Sequence, residues 1–389
     1  MSQKTIQLLL AVTLAGNLVA CNSSSSTPEA SDSPPAEATV TSEGGEGGEA
    51  GEATADLNWG NQFEDRQVIA SFADNVVLPK YARFSTDTAK LSDALDAFAG
   101  NPSEETLAAA REAWIETRSS WEMTESFAFG PAGSLGYDGA MDTWPINETD
   151  IQKIIESEDP LTAEAVAGMQ DSQKGMHAIE YLLFGVANNK SLDEFSDRQR
   201  QYLSALGQDL EKVSEALLAS WQKGIDGQPA YREVLAKAGE ADNSIYPTVP
   251  AGAQEMVTGL VECLNEVAVE KLGVPMEEKA STNLESRFSF NTLNDLKNNV
   301  AGAQNLYQGK LADASNVDVS LSGYVTKVDP SLNAEIETQF QEALAAINNI
   351  PAPLEKSVSD PAAEPQLEAA KEAIETLQQT IEQKLVPLI

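Results

Sequence analysis

The spacing of the apolar residues constrains the fold of this chain more than any other feature. From residue 65 to residue 389 they recur mostly at intervals of three and four, in segments of one to three dozen residues. This period matches the 3.6 residues of an α-helical turn and differs from the alternation of a half-buried strand. Alanine, leucine, glutamate and glutamine are abundant in these segments, and all four favour helices. The pattern predicts an all-α protein.

Helix boundaries follow from capping residues and from breaks in this spacing. Asn101 suits an N-cap and Pro102 the first position of a helix in the segment that ends at residue 129. Further helices are predicted at residues 148–157, 174–185, 192–223, 253–272, 285–308, 334–349 and 366–386. The glycine-rich segment 130–145 is predicted to be a loop, and residues 317–329 alternate in polarity as a pair of strands would.

The length of the chain suggests more than one folded unit. A chain of 389 residues is long for one hydrophobic core. The helical spacing breaks at AGEADNSIYPTVPAG, residues 238–252, so we expect one helical bundle at 57–240 and another at 241–389. LAAAREAW at 107–114 and LEAAKEAI at 367–374 share several residues at equivalent steps. This faint similarity favours an internal pseudo-repeat of two related four-helix bundles.

The N-terminal sequence predicts export. MSQKTIQLLLAVTLAGNLVAC has one lysine and then an apolar run too short to span a bilayer comfortably, with small residues close to Cys21. It resembles a bacterial lipoprotein signal, with residues 1–20 removed and Cys21 acylated. The alternative is an ordinary secretory signal that ends near a cysteine. Residues 21–56 are rich in Ser, Pro, Gly, Ala and Glu, which predicts a disordered acidic tether spanning roughly 30 Å.

Charge and cysteine content narrow the classes of function. The formal net charge of −36 argues against a nucleic-acid partner, because phosphate binding needs a basic surface. An acidic surface is compatible with cations, although most of these carboxylates serve solubility. With Cys21 acylated, Cys263 has no partner for a disulfide, and its helical, amphipathic surroundings predict a small buried hydrophobe.

The segment KGMHAIEYLLFG, residues 174–185, contains the only histidine of the chain. On a helix His177 and Glu180 share one face, because they are three residues apart. This pair suits a cation held by an imidazole nitrogen and a carboxylate oxygen, as in helical bundles that bind iron through Glu-x-x-His. The alternative is a buried hydrogen bond that serves only the core.

Carboxylates upstream extend this set of candidate metal ligands. Glu122 and Glu125 share one face of a helix, and Asp138 and Asp142 lie in the glycine-rich segment that leads toward His177. Loops of this kind often carry ligands. For Glu122 a surface salt bridge with the arginine four residues earlier is an alternative, and aspartates also serve as turn or capping residues.

The motifs together resemble the imelysin family. GMHAIE matches its G-x-H-x-x-E signature through Gly175, His177 and Glu180, and AWIETRSSWEMTESFAFGP, DTWP, KLGVP and LESRFSFNTLNDLKNNVAGAQNLYQG extend the similarity. The resemblance runs from about residue 65 to the C-terminal end. It implies an exported, all-helical protein of two related four-helix bundles with a functional site around H-x-x-E. The family was named for a peptidase activity, yet many members resemble iron-regulated lipoproteins or parts of ferrous-iron uptake systems.

The number of histidines separates these functions. Zinc peptidase sites usually use two or more nitrogen ligands, and this chain supplies one. A metal site must combine His177 with oxygens from Glu180, Glu125, Asp142 and Glu122, a set that suits iron, or manganese, better than zinc.

Three functions therefore follow from the sequence, in order of preference. The first is a lipoprotein that faces the periplasm or cell surface and binds iron or a similar divalent cation for uptake; its partners would be the metal ion, the membrane and iron-transport components. The second is a metal-dependent peptidase in which Glu125 or Glu180 activates water. The third is an envelope interaction protein whose His177–Glu180 pair is structural.

Overall fold

The computed structural model of the protein describes residues 57–309 and 319–389. The regular secondary structure of these residues is helical, without a β-strand among them, so the predicted all-α class is confirmed. None of the helices in the described part of the chain is long and apolar enough to cross a membrane. The predicted signal peptide, the Cys21 lipidation site and the tether lie outside the described residues.

The helices before residue 240 form a first group. They are α1 (Arg66–Phe72), α2 (Leu78–Gly100), α3 (Glu104–Glu122), α4 (Pro131–Ser134), α5 (Tyr137–Asp142), α6 (Glu148–Glu156), α7 (Ala163–Ala167), α8 (Gly175–Phe184), α9 (Asp197–Gln222) and α10 (Tyr231–Ala236). The long helices α2 and α9 pack along each other, α3 packs on α2, and α8 closes the group against α3 and α9. The apolar sides of these four helices form the first part of the core.

The helices after residue 240 form a second group. They are α11 (Val249–Asn265), α12 (Val274–Glu278), α13 (Thr292–Gln308), α14 (Leu321–Val328), α15 (Pro330–Asn348), α16 (Leu354–Ser357) and α17 (Glu364–Thr380). A π-helical segment, Glu266–Gly273, joins α11 to α12. Helices α11, α13, α15 and α17 pack as neighbours around a shared core. The division into two bundles at residue 240 and their relation as a repeat both stay predictions.

The C-terminal end of α3 packs against the second group at two glycines. A Cβ atom on Gly259 of α11 would lie 2.2 Å from the Ser126 carbonyl oxygen, and one on Gly302 of α13 would lie 2.7 Å from the Met123 carbonyl oxygen. Real Cβ atoms do not approach other atoms so closely, and only glycine permits this packing. The turn after α3, Glu125–Phe127, therefore lies directly on α11 and α13, and Glu122 and Glu125 face residues of the second group.

Several local predictions are corrected by the structure. The N-cap of α3 is Ser103 and not Asn101, because the Ser103 hydroxyl accepts from the Thr106 amide in a capping box. The glycine-rich segment 130–145 contains the short helices α4 and α5 in place of a loop. The helix predicted at 285–308 begins only at Thr292.

The predicted strand pair at 317–329 is also wrong. Residues 321–328 form α14, and residues 317 and 318 lie outside the described part of the chain. Ser320 caps this helix by accepting from the Gly323 amide. Leu321 and Val325, four residues apart, are both buried, so helical spacing rather than alternation places these side chains in the core. The interpretation of Cys263 is confirmed, since it is a free and buried cysteine.

Candidate metal centre

Gly175 fixes the position of α8 against α5. Its φ of +76° is left-handed, and a Cβ atom there would lie 2.4 Å from the Met141 carbonyl oxygen. Glycine is the residue that adopts this conformation at little cost and leaves room for the neighbouring carbonyl. The first turn of α8 therefore lies against the last turn of α5, and His177 comes to lie beside Asp142.

His177 is buried between two carboxylates. Its side chain is 1% exposed, with Nε2 3.2 Å from Asp142 Oδ1 and Nδ1 3.4 Å from Glu180 Oε2. Among the described residues Nε2 makes no aligned hydrogen bond, although its distance from Asp142 suits an ion pair with the protonated ring. Burial and the charge of Arg118 lower the pKa of His177, but Asp142 and Glu180 outweigh them and raise it to about 9. Without a metal ion the imidazole is therefore protonated at neutral pH.

A loop from the second group of helices holds Glu180. Its Oε1 accepts hydrogen bonds from the Phe288 amide at 3.0 Å, the Ser289 amide at 2.7 Å and the Ser289 hydroxyl at 2.7 Å. Glu180 itself is fully buried. Three donors on one oxygen fix the carboxylate and aim Oε2 at His177 Nδ1. The His177–Glu180 pair thus lies where the two groups of helices meet.

Asp142 lies at the last position of α5 and is 3% exposed. Its Oδ1 forms an ion pair with Arg118, and its Oδ2 accepts from Trp121 Nε1 at 2.6 Å. Burial raises the pKa of this carboxyl, but the charges of Arg118 and His177 lower it to about 2. Asp142 is therefore ionised throughout the physiological range and is a permanent acceptor for a cation.

Arg118 is a fully buried cation at the centre of the cluster. Its guanidinium forms ion pairs with Glu122, Asp142 and Glu285, and its Nε lies 3.8 Å from Asp295 Oδ2. The alternative sequence interpretation of Glu122, a surface salt bridge, is therefore wrong, because both partners are 0% exposed. The partners on α13 and in the loop before it reach Arg118 only through the packing of the two groups.

Lys271 supplies a second buried cation. It projects from the π-helical segment, and its Nζ lies 3.0 Å from Glu285 Oε1, 3.2 Å from Glu266 Oε1 and 3.8 Å from Glu122 Oε2. Burial lowers the pKa of this amine, but the surrounding carboxylates raise it well above its ordinary value. π-Helical turns frequently occur at functional sites.

Negative charge exceeds positive charge in this cluster. Its five buried carboxylates are Glu122, Asp142, Glu180, Glu285 and Asp295, and its permanent cations are Arg118 and Lys271. Burial raises the pKa of Asp295 to about 7 and raises that of Glu122 well above the ordinary value. Without a further cation some of these groups therefore take up protons.

Two more carboxylates lie at the edge of the cluster. Glu125 and Asp138 are half-buried. Burial raises the pKa of Glu125 well above its usual range, with the nearby carboxylates adding to the shift. The pKa of Asp138 rises to about 7 through burial and the charges of Asp142 and Glu266.

The structure brings together most of the residues predicted from the sequence. Three ligand atoms, one each from Asp142, His177 and Glu285, lie within 4.8 Å of one another. A second group with the same spacing consists of Glu122, Glu125 and Asp142. Glu180 contacts the opposite nitrogen of the His177 ring.

Sequence reasoning missed Glu285, Asp295, Lys271 and the central position of Arg118. The available signal for Glu285 was the segment LESRFS, which carries it and resembles the family motif.

Comparison with known proteins agrees with this architecture. The chain is 40% identical over 323 residues to iron-regulated protein A of Synechococcus elongatus, covering 83% of this chain and 86% of that protein. It is similar to the crystal structure of a protein assigned as an iron-regulated protein A precursor from Parabacteroides distasonis, with a TM-score of 0.74, 26% identity, and 82% and 94% of the two chains covered.

A second solved structure shares the fold. The crystal structure of an imelysin-like protein from Psychrobacter arcticum has a TM-score of 0.69 at 16% identity, with 83% of this chain and 94% of that chain covered. The family model for imelysin, peptidase M75, matches residues 77–381. The predicted resemblance is thereby confirmed, and the chain belongs to the imelysin family.

Proposed function

We propose that the protein binds iron or a similar divalent cation in the buried cluster. The ligands are His177 Nε2, Asp142 and Glu285, and ligand atoms of Glu122 and Glu125 lie within 4.8 Å of one of Asp142. One observation carries the proposal: His177, whose buried Nε2 makes no aligned hydrogen bond with the described residues, belongs with Asp142 and Glu285 to a group whose ligand atoms lie within 4.8 Å of one another. A metal ion at about 2.0–2.6 Å from each atom fits such a triangle of ligands.

The composition and charge of this set favour iron or manganese. One nitrogen with several carboxylate oxygens suits these metals better than the tetrahedral site of a catalytic zinc. A divalent cation also reduces the excess of negative charge and favours the deprotonated forms of the ligands. Arg118 contacts Asp142 and Glu285, two of the three proposed ligands, so the ion must bind beside the guanidinium or displace part of it.

Glu180 has a different role in this proposal from the chelating one that the sequence predicted. Its carboxylate contacts Nδ1, whereas Nε2 points toward Asp142, so one ion does not contact both Nε2 and Glu180. Glu180 instead fixes the ring orientation and the proton on Nδ1, which leaves Nε2 for the metal. Groups that orient a ligand in this way typically change metal affinity 10–100-fold.

The cellular role we propose is iron uptake at the envelope. The relative from Synechococcus elongatus carries the name iron-regulated protein A, which supports iron as the cargo. Cys21 and the apolar segment before it support a lipid anchor, with the folded body facing the periplasm or cell surface. Iron-transport components of the same membrane are the partners expected for such a carrier.

The burial of the cluster favours an ion over a peptide substrate. The family name comes with the peptidase M75 designation, and the same residues could activate water. However, His177, Asp142 and Glu180 are at most 3% exposed, so a peptide bond cannot contact them in this conformation. A bare cation is far smaller and needs only a narrow path.

Calorimetric titration of the chelator-treated protein with ferrous iron, manganese and zinc tests the proposal. We expect His177→Ala to weaken binding more than a hundredfold and Glu180→Gln to weaken it 10–100-fold, with the helical circular dichroism retained. Glu335→Gln is the matched control, because Glu335 pairs with Lys384 on the surface. Equal binding by the wild type and all variants would make the His177–Glu180 contact purely structural. Peptide hydrolysis that is lost in His177→Ala would instead support the peptidase.

A further inference from the structure

The two buried cations of the cluster differ in where their partners lie. All the ion pairs described for Arg118 are with carboxylates that are at most 3% exposed. Lys271 also contacts buried carboxylates, but it has one partner, Glu266, whose side chain is 27% exposed. Lys271 therefore lies between the interior of the cluster and its edge.

The π-helical segment places both members of this outer pair. Glu266 is its first residue and Lys271 its sixth, and the wider turn brings Lys271 Nζ to 3.2 Å from Glu266 Oε1. The same amine lies 3.0 Å from Glu285 Oε1. A lysine amine is a compact charge on a flexible four-carbon stem, so it can exchange one of these contacts without moving the backbone.

We propose that Lys271 is an intramolecular competitor for the metal ion. In the metal-free protein its ammonium group pairs with the Glu285 carboxylate. When a metal ion binds, the ammonium group moves away from Glu285 and pairs with Glu266 alone. This inference rests on the metal-binding function proposed above. Lys271 thereby limits the affinity of the site and provides a cation that returns to Glu285 when the metal leaves, which suits a protein that must release its cargo.

Electrostatic repulsion prevents the Lys271 ammonium group and a metal ion from binding Glu285 at the same time. Lys271 Nζ touches the same carboxylate that is proposed as a ligand, so an ion bound there would lie within a few ångströms of the ammonium group. Like charges at such a distance in a poorly solvated site repel strongly. Moving the amine toward Glu266 increases its distance from the ion and keeps it paired with a carboxylate, so no buried charge is left without a partner.

The test is titration with manganese, which does not oxidise during the measurement as ferrous iron does. Lys271→Met removes the charge but keeps an apolar stem, and we expect it to bind manganese at least tenfold more tightly, with slower release to a chelator. Lys271→Arg keeps the charge and should not bind manganese more tightly than the wild type does. Lys384→Met makes the same change in net charge at the surface and should have no effect.

A second variant decides the question if Lys271→Met fails to fold. Glu266→Gln leaves the displaced amine with a weaker acceptor, so manganese affinity should fall at least threefold. Because this is a contact effect, the loss should persist at high salt, where long-range attraction is screened.

The outcomes separate the two proposals. If the wild type binds none of the three metals, the proposed function fails. If the wild type binds but folded Lys271→Met binds equally or more weakly, only the competition is wrong. If Lys271→Met does not fold, an unchanged manganese affinity in Glu266→Gln overturns the competition proposal.

Discussion

The metal-free protein should lose stability as the pH rises from 5.5 to 7.5. Burial raises the pKa of Asp295 from 3.8 to about 7, so the folded protein keeps a proton there that the unfolded chain has lost. The pKa of His177 is raised from 6.5 to about 9 by Asp142 and Glu180, against burial and Arg118. Wherever the native state binds more protons than the unfolded state, stability falls as pH increases.

These two groups set the smallest loss of stability to be expected. A raised pKa gives stability that is complete below the unfolded pKa and is lost as pH approaches the folded pKa. Between pH 5.5 and 7.5 this amounts to about 2 kcal/mol for Asp295 and about 1 kcal/mol for His177. The pKa of Asp142 is lowered to about 2, so the stability that this group contributes is lost only in strong acid, below the range considered. We therefore expect the free energy of unfolding to fall by at least about 3 kcal/mol, because Asp138, whose pKa is also raised to about 7, adds a loss in the same direction.

Urea unfolding followed by circular dichroism, with a chelator present, measures this change at pH 5.5, 6.5 and 7.5. Asp295→Asn should remove about 2 kcal/mol of the pH-dependent loss. Saturating manganese should reduce the loss as well, because the ion replaces protons on its ligands and stabilises the folded state by mass action. Stability that is constant or increases over this range in the metal-free protein would refute the charge assignment of the cluster.

Three further changes probe single features. Ser289→Ala removes one of the three hydrogen bonds to Glu180, so metal affinity should fall about tenfold in calorimetry while the fold is retained. Gly175→Ala places a methyl group against the Met141 carbonyl and strains a left-handed backbone, so the free energy of unfolding should drop by about 2 kcal/mol or more in urea titrations. Cys21→Ser should release the protein from the membrane fraction; wild-type protein without lipid by mass spectrometry would contradict the anchor.

Local sequence signals predicted the helices well and their surroundings less well. The helix predicted at 148–157 corresponds to α6, and the one at 192–223 to α9, because apolar spacing persists over several turns. The segment with Leu321 failed because alternation over a dozen residues is compatible with helical spacing once Ser320 supplies a cap. Asn101 suits an N-cap by residue type, but Ser103 is of the same class, and only the backbone geometry decides between them.

The candidate site shows the same limit more sharply. Glu122, Glu125, Asp142 and His177 were predicted because they lie on neighbouring segments with polar residues among apolar ones. Glu285 was not predicted as a site residue, because it lies 108 positions after His177 and no periodicity connects the two.

The Arg118–Glu122 spacing predicted an ion pair, but spacing cannot report exposure. Burial of this pair results from packing of α3 against α13, a long-range contact that one sequence does not encode in any local pattern.

The single imidazole of this protein allows the cluster to be observed directly by NMR. Because His177 is the only histidine among 389 residues, ¹⁵N labelling of histidine alone gives two ring-nitrogen resonances, both from the centre of the cluster. Their chemical shifts distinguish the protonated ring from either neutral tautomer without resonance assignment. On protein purified without a polyhistidine tag, one titration would therefore follow the proton on Nδ1, the state of Nε2 and the arrival of a diamagnetic ion such as zinc at the same time.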